Sequence, residues 1–281
     1  MSELKNLENQ LKKKGYVIKR AINKSSLDFL QKKILELSLK SKPSLKKVYK
    51  RYKQTEIFFE NIHKHVTKKE LNNFRLKIIQ GINKDEKFKK NYYEVSKYLL
   101  HNLVGNELAM QTKLNISIQI PNDDTSMLPM HSDIYAGESP FEVVIWIPLT
   151  NVASCSHSMF ITDPKNNRLI NKEVTTSKNR TILEIYNKHK KKFKFIKIDY
   201  GNVLLFTPVV MHGNVVNKTS ISRISLNCRF KSLLSPYDVF SKTHRNIPHF
   251  YKPLTVKPLT KIGFNFINGV NENKFKINKK L

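Results

Sequence analysis

His131 and Asp133 stand one residue apart in LPMHSDIYAGESP, directly before the apolar run FEVVIWIPL. Side chains at i and i+2 of an extended backbone leave the same face, so an imidazole and a carboxylate at this spacing can meet one metal ion. His212, after the strand-like NVLLF in LLFTPVVMHGN, offers a third ligand. Two His and one carboxylate form a facial set that leaves adjacent positions open on Fe(II) for a cosubstrate and dioxygen. Zinc accepts the same ligands in hydrolytic sites, so the ligands alone leave the metal open. Arg223, eleven positions after His212, and Ser225 two further on weigh toward iron. A guanidinium fork and a hydroxyl at the inner end of the pocket suit the distal carboxylate of a dicarboxylate cosubstrate. A hydrolytic zinc site has no such need.

These residues require strands to hold them. From about residue 108 the sequence alternates: Leu114, Ile116, Ile118 and Ile120 against Asn115, Ser117 and Gln119, the period of a strand with one apolar and one polar face. FEVVIWIPL, SMFIT, FKFIKIDY, NVLLF and RISLNCRF continue in this way between Gly, Pro, Asn and Asp turns, which predicts an all-β block from about 108 to 232. In RISLNCRF, Arg223, Ser225, Asn227 and Arg229 share one face and Ile224, Leu226, Cys228 and Phe230 the other. A barrel-like sandwich with its mouth open to a ligand accommodates both faces.

The first hundred residues read differently. Leu27, Leu30, Ile34 and Leu37 predict a helix over about 26–39, after a short strand in GYVIKR. Residues 41–66 are basic and weakly periodic, a loop with a partial helix, and the HKH at 63–65 belongs to the surface. Thr67 and Glu70 have capping-box spacing, and helices over about 68–82 and 86–104 follow. Trp146 reads as core, since its run is apolar on both faces. His157, Ser158 and Met159 are candidates for a pocket wall or a loop. The tail, 233–281, has no clear period. One domain covering 1–281 is expected, with a mostly helical part over 1–106, a β core over 107–232 and a C-terminal extension.

Composition limits the partners. The 281 residues are 40% hydrophobic, enough for one sizeable core, and hold two cysteines, Cys155 and Cys228, which read as reduced thiols. No run is apolar enough to span a bilayer and the N-terminus is too polar for a secretory signal, so a cytoplasmic protein is expected. The formal charge of +29 invites a nucleic-acid reading, but only eight of the 51 basic residues are Arg. Phosphate and base recognition leans on the Arg fork, so nucleic acid is disfavoured; Lys spread along the whole chain reads first as a solvated compositional bias, with an anionic small substrate as the functional alternative.

The set His131-x-Asp133, His212 and Arg223-x-Ser225 resembles the Fe(II)/2-oxoglutarate-dependent oxygenases, specifically the phytanoyl-CoA dioxygenase-like branch. WIPLT, GNVLLFTPVVMHG and GYVIKR before a helix agree with it. LPMHSDIYAGESPFEVVIWIPL and SLNCRFKSLLSPY are similar to the sporadic carbohydrate cluster 2-oxoglutarate/Fe(II) oxygenases. The match covers roughly 108–240. It implies an α+β fold with a double-stranded β-helix (jelly-roll, cupin-like) core flanked by N-terminal helices. Iron would be held by His131, Asp133 and His212, and 2-oxoglutarate by Arg223, with Ser225 a second donor and O2 the oxidant. The residue after WIPL onward, TNVASCSHSMFITDPKNN, departs from the Gly- and Pro-rich stretch usual there, which leaves the substrate wall unusual. Asp133 in the ligand position favours hydroxylation over halogenation.

Secondary roles follow from position. Gln119 and Asn115, on the polar strand face before HSD, and Thr207, ahead of His212, are candidates for cosubstrate contacts. Arg229 is a candidate for cosubstrate or anionic substrate, with a salt bridge as its alternative. IYAGESP, with Tyr135 and Glu138, is expected to border the substrate. The leading expectation is a hydroxylase acting on a carbohydrate-related small molecule, a glycan or nucleotide sugar. The alternatives are a cupin-like zinc hydrolase and an oxygenase acting on nucleic acid.

Overall fold

Ten strands and nine helices alternate along the described part of the chain, which in this computed structural model comprises residues 3–177, 179–236, 247 and 249–269, with side chains to 266. The N-terminal half is helical: α1 (Glu3–Lys14), β1 (Tyr16–Arg20), α2 (Lys24–Ser41), α3 (Leu45–Tyr49), α4 (Thr55–Glu60), α5 (Lys68–Asn83) and α6 (Glu86–Leu103). Then come β2 (Leu108–Gln111), β3 (Asn115–Gln119), β4 (Glu142–Pro148), β5 (Met159–Thr162), α7 (Pro164–Thr176) and α8 (Ile182–His189). The chain continues through β6 (Phe193–Phe195), β7 (Asn202–Phe206), β8 (His212–Asn214), β9 (Arg223–Ser232), β10 (Tyr251–Thr255) and α9 (Pro258–Gly269).

The helix starts have local causes. Asn23 accepts from the Ser26 N–H at the head of α2, Asp85 from Phe88 at α6, and Thr67 with Glu70 forms a capping box at α5. The helix expected at 26–39 begins two residues earlier, at Lys24, capped by Asn23.

The strands form two antiparallel sheets, one of seven strands, β1-β7-β4-β9-β2-β10 in order with β3 as a further partner of β9, and one of three in the order β6-β5-β8. β9 is long enough to serve two partners on one edge, β3 along Arg223–Asn227 and β2 along Phe230–Ser232, while β4 runs along its other edge. Alternation then sorts the side chains. Val143, Ile145 and Ile147 of β4, Val203 and Leu205 of β7, and Ile224, Leu226, Cys228 and Phe230 of β9 join the apolar faces of α2, α5 and α6 in one core. Val144, Trp146, Leu204 and Phe206 turn the other way and pack with Met159 and Ile161 of the small sheet. The run FEVVIWIPL is apolar on both faces because helices cover one and the second sheet the other. This is an α+β architecture with helices on the outer side of the large sheet and the small sheet on its inner side.

Three expectations change. The block 108–232 is not all β: α7 and α8 lie inside it, α7 capped by Asp163 with Pro164 in its first turn. Residues 3–14 form a helix although only Leu7 among them is buried, so the apolar signal was too thin to read. The tail supplies β10, which pairs with β2, and then α9; residues 237–246 and 270–281 of it lie outside the described residues.

Tyr92 ties the helices to the sheet. Its ring stacks on Phe230 and its buried hydroxyl donates to the Ile145 carbonyl at 2.7 Å. Tyr92→Phe keeps the stacking and removes one buried hydrogen bond, so thermal or denaturant unfolding should show a loss of about 1 kcal/mol.

Candidate metal centre

The two histidines are set by a backbone bridge between the sheet and the segment before β4. His131 N–H donates to the His212 carbonyl and His212 N–H to the His131 carbonyl, both at 2.9 Å, and the rings lie 4.4 Å apart. Each ring is oriented from behind: His131 Nδ1 is 2.7 Å from the Pro129 carbonyl and His212 Nδ1 is 2.9 Å from that of Val210. A carbonyl only accepts, so Nδ1 carries the proton on both rings and each Nε2 presents a lone pair. Such backing is what fixes the tautomer of metal-ligating histidines. Asp133 opens a helical turn, Asp133–Ala136, anchored by its own N–H and the Ser132 hydroxyl on the Pro208 carbonyl. Nε2 of His131 and of His212 lie 3.4 and 3.8 Å from the same Asp133 oxygen, Oδ1. One donor atom from each of the three residues falls within 4.8 Å of the others, a grouping able to hold a metal ion.

Charge favours the metal-ready forms of His212 and Asp133. Burial pushes His212 down to about 4, so it is neutral at physiological pH. Burial alone would raise the Asp133 carboxyl, but the hydrogen bond with His131 and the charge of Arg229 outweigh it and hold the group well below the usual carboxylate range. For His131 burial lowers and the Asp133 hydrogen bond raises, with a net rise.

The triad opens on a cavity of about 540 Å³ between the sheets. Arg223, Asn115, Ser117, Asn227 and Trp146 line one part of it, and Arg75, Leu76 and Ile79 of α5 with residues 125–128 line another. Arg223 is the informative residue. It is 2% exposed, its Nη2 donates to Ser117 Oγ at 3.1 Å, and its Nε and Nη1 are buried without a hydrogen-bond partner. Among the described residues no carboxylate pairs with it. Burial lowers it to about 10, which leaves it charged at neutral pH. A buried, charged, half-bonded guanidinium costs several kcal/mol unless an anion completes it, so this end of the cavity has donors open to an anion. Ser225, beside it in the strand, also has a buried hydroxyl without a partner.

The other expected residues divide. Asn115 lines the cavity. Gln119 pairs with Arg223 across the β3–β9 ladder, and its amide nitrogen donates to the Val215 carbonyl at 2.6 Å, but it is not a cavity wall. Thr207 is used elsewhere, its N–H on the Gly15 carbonyl and its hydroxyl beneath Val209 N–H, away from the cavity. Tyr135 is half exposed and bonds Asn171 of α7, and none of residues 134–140 lines the cavity, so IYAGESP does not border it. Of His157, Ser158 and Met159 only Met159 does. Trp146 is core and cavity wall at once, its ring 5.5 Å from the Arg223 guanidinium. His63 is half-buried and bonds Ser222 at 2.8 Å, remote from the triad. Cys155 and Cys228 are free thiols.

Arg229 adopts its alternative role. It lines the cavity, but Nη2 pairs with Asp133 Oδ2 at 2.9 Å and Nε lies at ion-pair distance from Glu138 (3.3 Å) and Glu142 (3.4 Å). Glu138 is buried beside Arg229 and does not line the cavity. The sequence reading missed Glu142, Gln111 and Tyr251. Gln111 Oε1 accepts from the Arg229 backbone N–H and Nη1, and the Tyr251 hydroxyl donates to Glu142. Glu142 carried a signal, since it shares a face with Val144 and Trp146 and pairs with Lys231 across the ladder.

No protein-family model and no curated protein matches the sequence. Solved structures of similar shape include the non-heme monooxygenase ThoJ in complex with nickel, at 13% identity over 80% of this chain and 77% of that one, TM-score 0.44. HygX from Streptomyces hygroscopicus with nickel and 2-oxoglutarate bound is 9% identical over 84% and 89%, TM-score 0.48. The non-heme alpha-ketoglutarate-dependent carbocyclase SnoK from nogalamycin biosynthesis is 15% identical over 63% and 72%, TM-score 0.40. Likeness at this level assigns no chemistry.

Two outcomes are expected. A Cβ at Gly213 would lie 2.7 and 2.9 Å from the Leu128 and Pro129 carbonyl oxygens and 2.8 Å from Phe160, so Gly213→Ala must displace the segment leading to His131. A loss of about 1–3 kcal/mol in unfolding, with weakened metal binding in titration calorimetry, is expected. Burial, then the neighbouring Glu138, push Glu142 up to about 8, against the pull of Arg229 and Tyr251. Folded protein then keeps a proton that unfolded chain releases near pH ~4.3, so this group's stabilisation is present below that pH and is lost as pH rises toward 8. Melting of the metal-free protein across pH 5–8 should fall less steeply in Glu142→Gln than in wild type.

Proposed function

We propose that the protein is a non-haem Fe(II)- and 2-oxoglutarate-dependent dioxygenase that hydroxylates a small, carbohydrate-related and anionic substrate. The observation that carries this is the pairing of a His-Asp-His triad with a buried Arg223 whose guanidinium lacks an anion, in one cavity. The sequence resemblance and the shape of the two packed sheets support reading the core as a double-stranded β-helix, with 1–106 and 233–281 as parts of one oxygenase domain.

The donor set fits iron: two imidazole nitrogens and one carboxylate, without thiolates. His131, Asp133 and His212 would hold the ion, and Arg223, with Ser225 beside it, the far carboxylate of 2-oxoglutarate. When bound, iron supplies dioxygen activation, coupling decarboxylation of 2-oxoglutarate to succinate and CO2 with insertion of one oxygen atom into the substrate. The chain positions and protects. Pro129 and Val210 fix the imidazoles, Arg223 sets the cosubstrate's orientation, and Trp146, Phe206 and Met159 keep the wall between them apolar. The remaining part of the cavity combines Arg75, whose guanidinium bonds the Asn72 side chain of its own helix, with Thr125 and the apolar Leu76 and Ile79. That lining suits a hydroxylated molecule with one anionic group, as in a nucleotide sugar or an acidic glycan unit.

Succinate release that requires both Fe(II) and 2-oxoglutarate is the expected result, screened against sugars and nucleotide sugars. His131→Ala and Asp133→Ala should abolish it, and wild-type turnover in either variant overturns the assignment. Arg223→Met should weaken 2-oxoglutarate binding by about 10-fold or more, as expected for loss of charge-assisted hydrogen bonds. Its metal-free melting temperature should not fall, because an uncompensated buried charge has gone. Tight zinc retention without 2-oxoglutarate binding would favour a hydrolase instead, and nucleic-acid binding with a steep salt dependence would redirect the substrate.

A further inference from the structure

The two oxygens of Asp133 have different neighbours. Both histidine Nε2 atoms face Oδ1, at 3.4 and 3.8 Å, whereas Oδ2 is held by Arg229 Nη2 at 2.9 Å. Arg229 is itself gripped on its other edges. Nη1 donates to Gln111 Oε1 at 3.4 Å, and Nε sits 3.3 Å from Glu138 and 3.4 Å from Glu142. Glu142 accepts from Tyr251, a buried residue of β10, so the last strand of the sheet braces the guanidinium from behind. Two acids and Gln111 thus surround the guanidinium, and although its buried Nε makes no hydrogen bond, they direct Nη2 toward Oδ2.

We propose that Arg229 is a positioning residue that fixes Asp133 as a one-oxygen metal ligand, keeping vacant the coordination position a chelating carboxylate would occupy. The inference rests on the oxygenase reading above. There the cosubstrate chelates through two atoms and dioxygen takes a third position, so a carboxylate binding through both oxygens would leave one position too few. The arrangement also explains why two buried acids surround one Arg beside a metal site. A lone Arg229 could leave Asp133 for the anionic cosubstrate, whereas Glu138, Glu142 and Gln111 hold it back and leave Arg223 as the cation free to take that role.

The test uses the full chain loaded with Mn(II), whose bound waters are counted by water-proton relaxation, alongside calorimetry of Mn(II) and then of 2-oxoglutarate. In Arg229→Met the freed carboxylate should chelate. One metal-bound water fewer than wild type is expected, with Mn(II) affinity unchanged or higher and 2-oxoglutarate affinity lower by about 10-fold or more, in the range seen when supporting partners of metal ligands are removed. A second variant, Arg229→Met with Glu138→Gln and Glu142→Gln, removes the acids that the single change would leave uncompensated, and should show the same loss of one water. A merely structural Arg229 would weaken Mn(II) and 2-oxoglutarate binding together and leave the water count unchanged, and that result overturns the proposal. Wild-type protein that binds Mn(II) but not 2-oxoglutarate overturns the oxygenase reading alone, because the water count still judges Arg229. Wild-type protein that binds no Mn(II) overturns both.

Discussion

The alternation of side chains along β9 governs the site. Ten residues of one strand send Ile224, Leu226, Cys228 and Phe230 into the helical core and Arg223, Asn227 and Arg229 into the cavity. The apolar set cannot change face without exposing four buried side chains, roughly 1.5–3 kcal/mol for each large one. A one-residue slip would also reverse both arginines, so hydrophobic burial on one side dictates where the two guanidinium groups stand on the other. β4 does the same work opposite, with Ile145 against the helices and Trp146 against Arg223. The precision of the polar site therefore derives from the apolar core behind it.

The two arginines on that face have opposite fates, and their neighbours decide it. Arg229 lies where β4 brings Glu142 and the turn after Asp133 brings Glu138, so its charge is more than matched. Arg223, six residues earlier, meets Ser117 and an indole ring and retains unfilled donors. In low dielectric these are different objects: the first is a rigid brace, the second a receptor for an anion. Burial next to compensating charge and burial without it mark structural and binding roles more sharply than exposure does.

Much of this was legible in the chain. The HxD spacing, His212 and Arg223 were readable because strand periodicity places them on defined faces and because few chemistries need that set. The helices at 68–83 and 86–103 were readable from caps. The brace was not. Gln111 and Glu138 reach Arg229 from β2 and a turn, Tyr251 reaches Glu142 from β10, and the β10 to β2 pairing links residues about 140 positions apart, through a tail without period. The cavity's border was also misplaced. Proximity in sequence suggested IYAGESP, but the helical turn at Asp133 carries that stretch toward α7, and the opposite rim is built by α5. Periodicity reports faces of elements; it is silent on which distant element comes to cover them.

The charge of +29 can now be divided by environment. Arg223, Arg229 and Lys231 are each at least half buried and serve the inner face of the large sheet, whereas most of the remaining lysines are exposed. Solvated lysine contributes a diffuse field that salt screens within about 10 Å, which can raise the encounter rate of an anion but cannot orient it. Orientation needs fixed donors at low dielectric, and Arg223, buried beside the His-Asp-His triad, has Nε and Nη1 open for that role. Attraction and orientation thus suit different charges: exposed lysines outside, and the open donors of buried Arg223 within. An anion that reaches Arg223 does not first have to break an ion pair among the described residues, so the guanidinium's open donors are available to it.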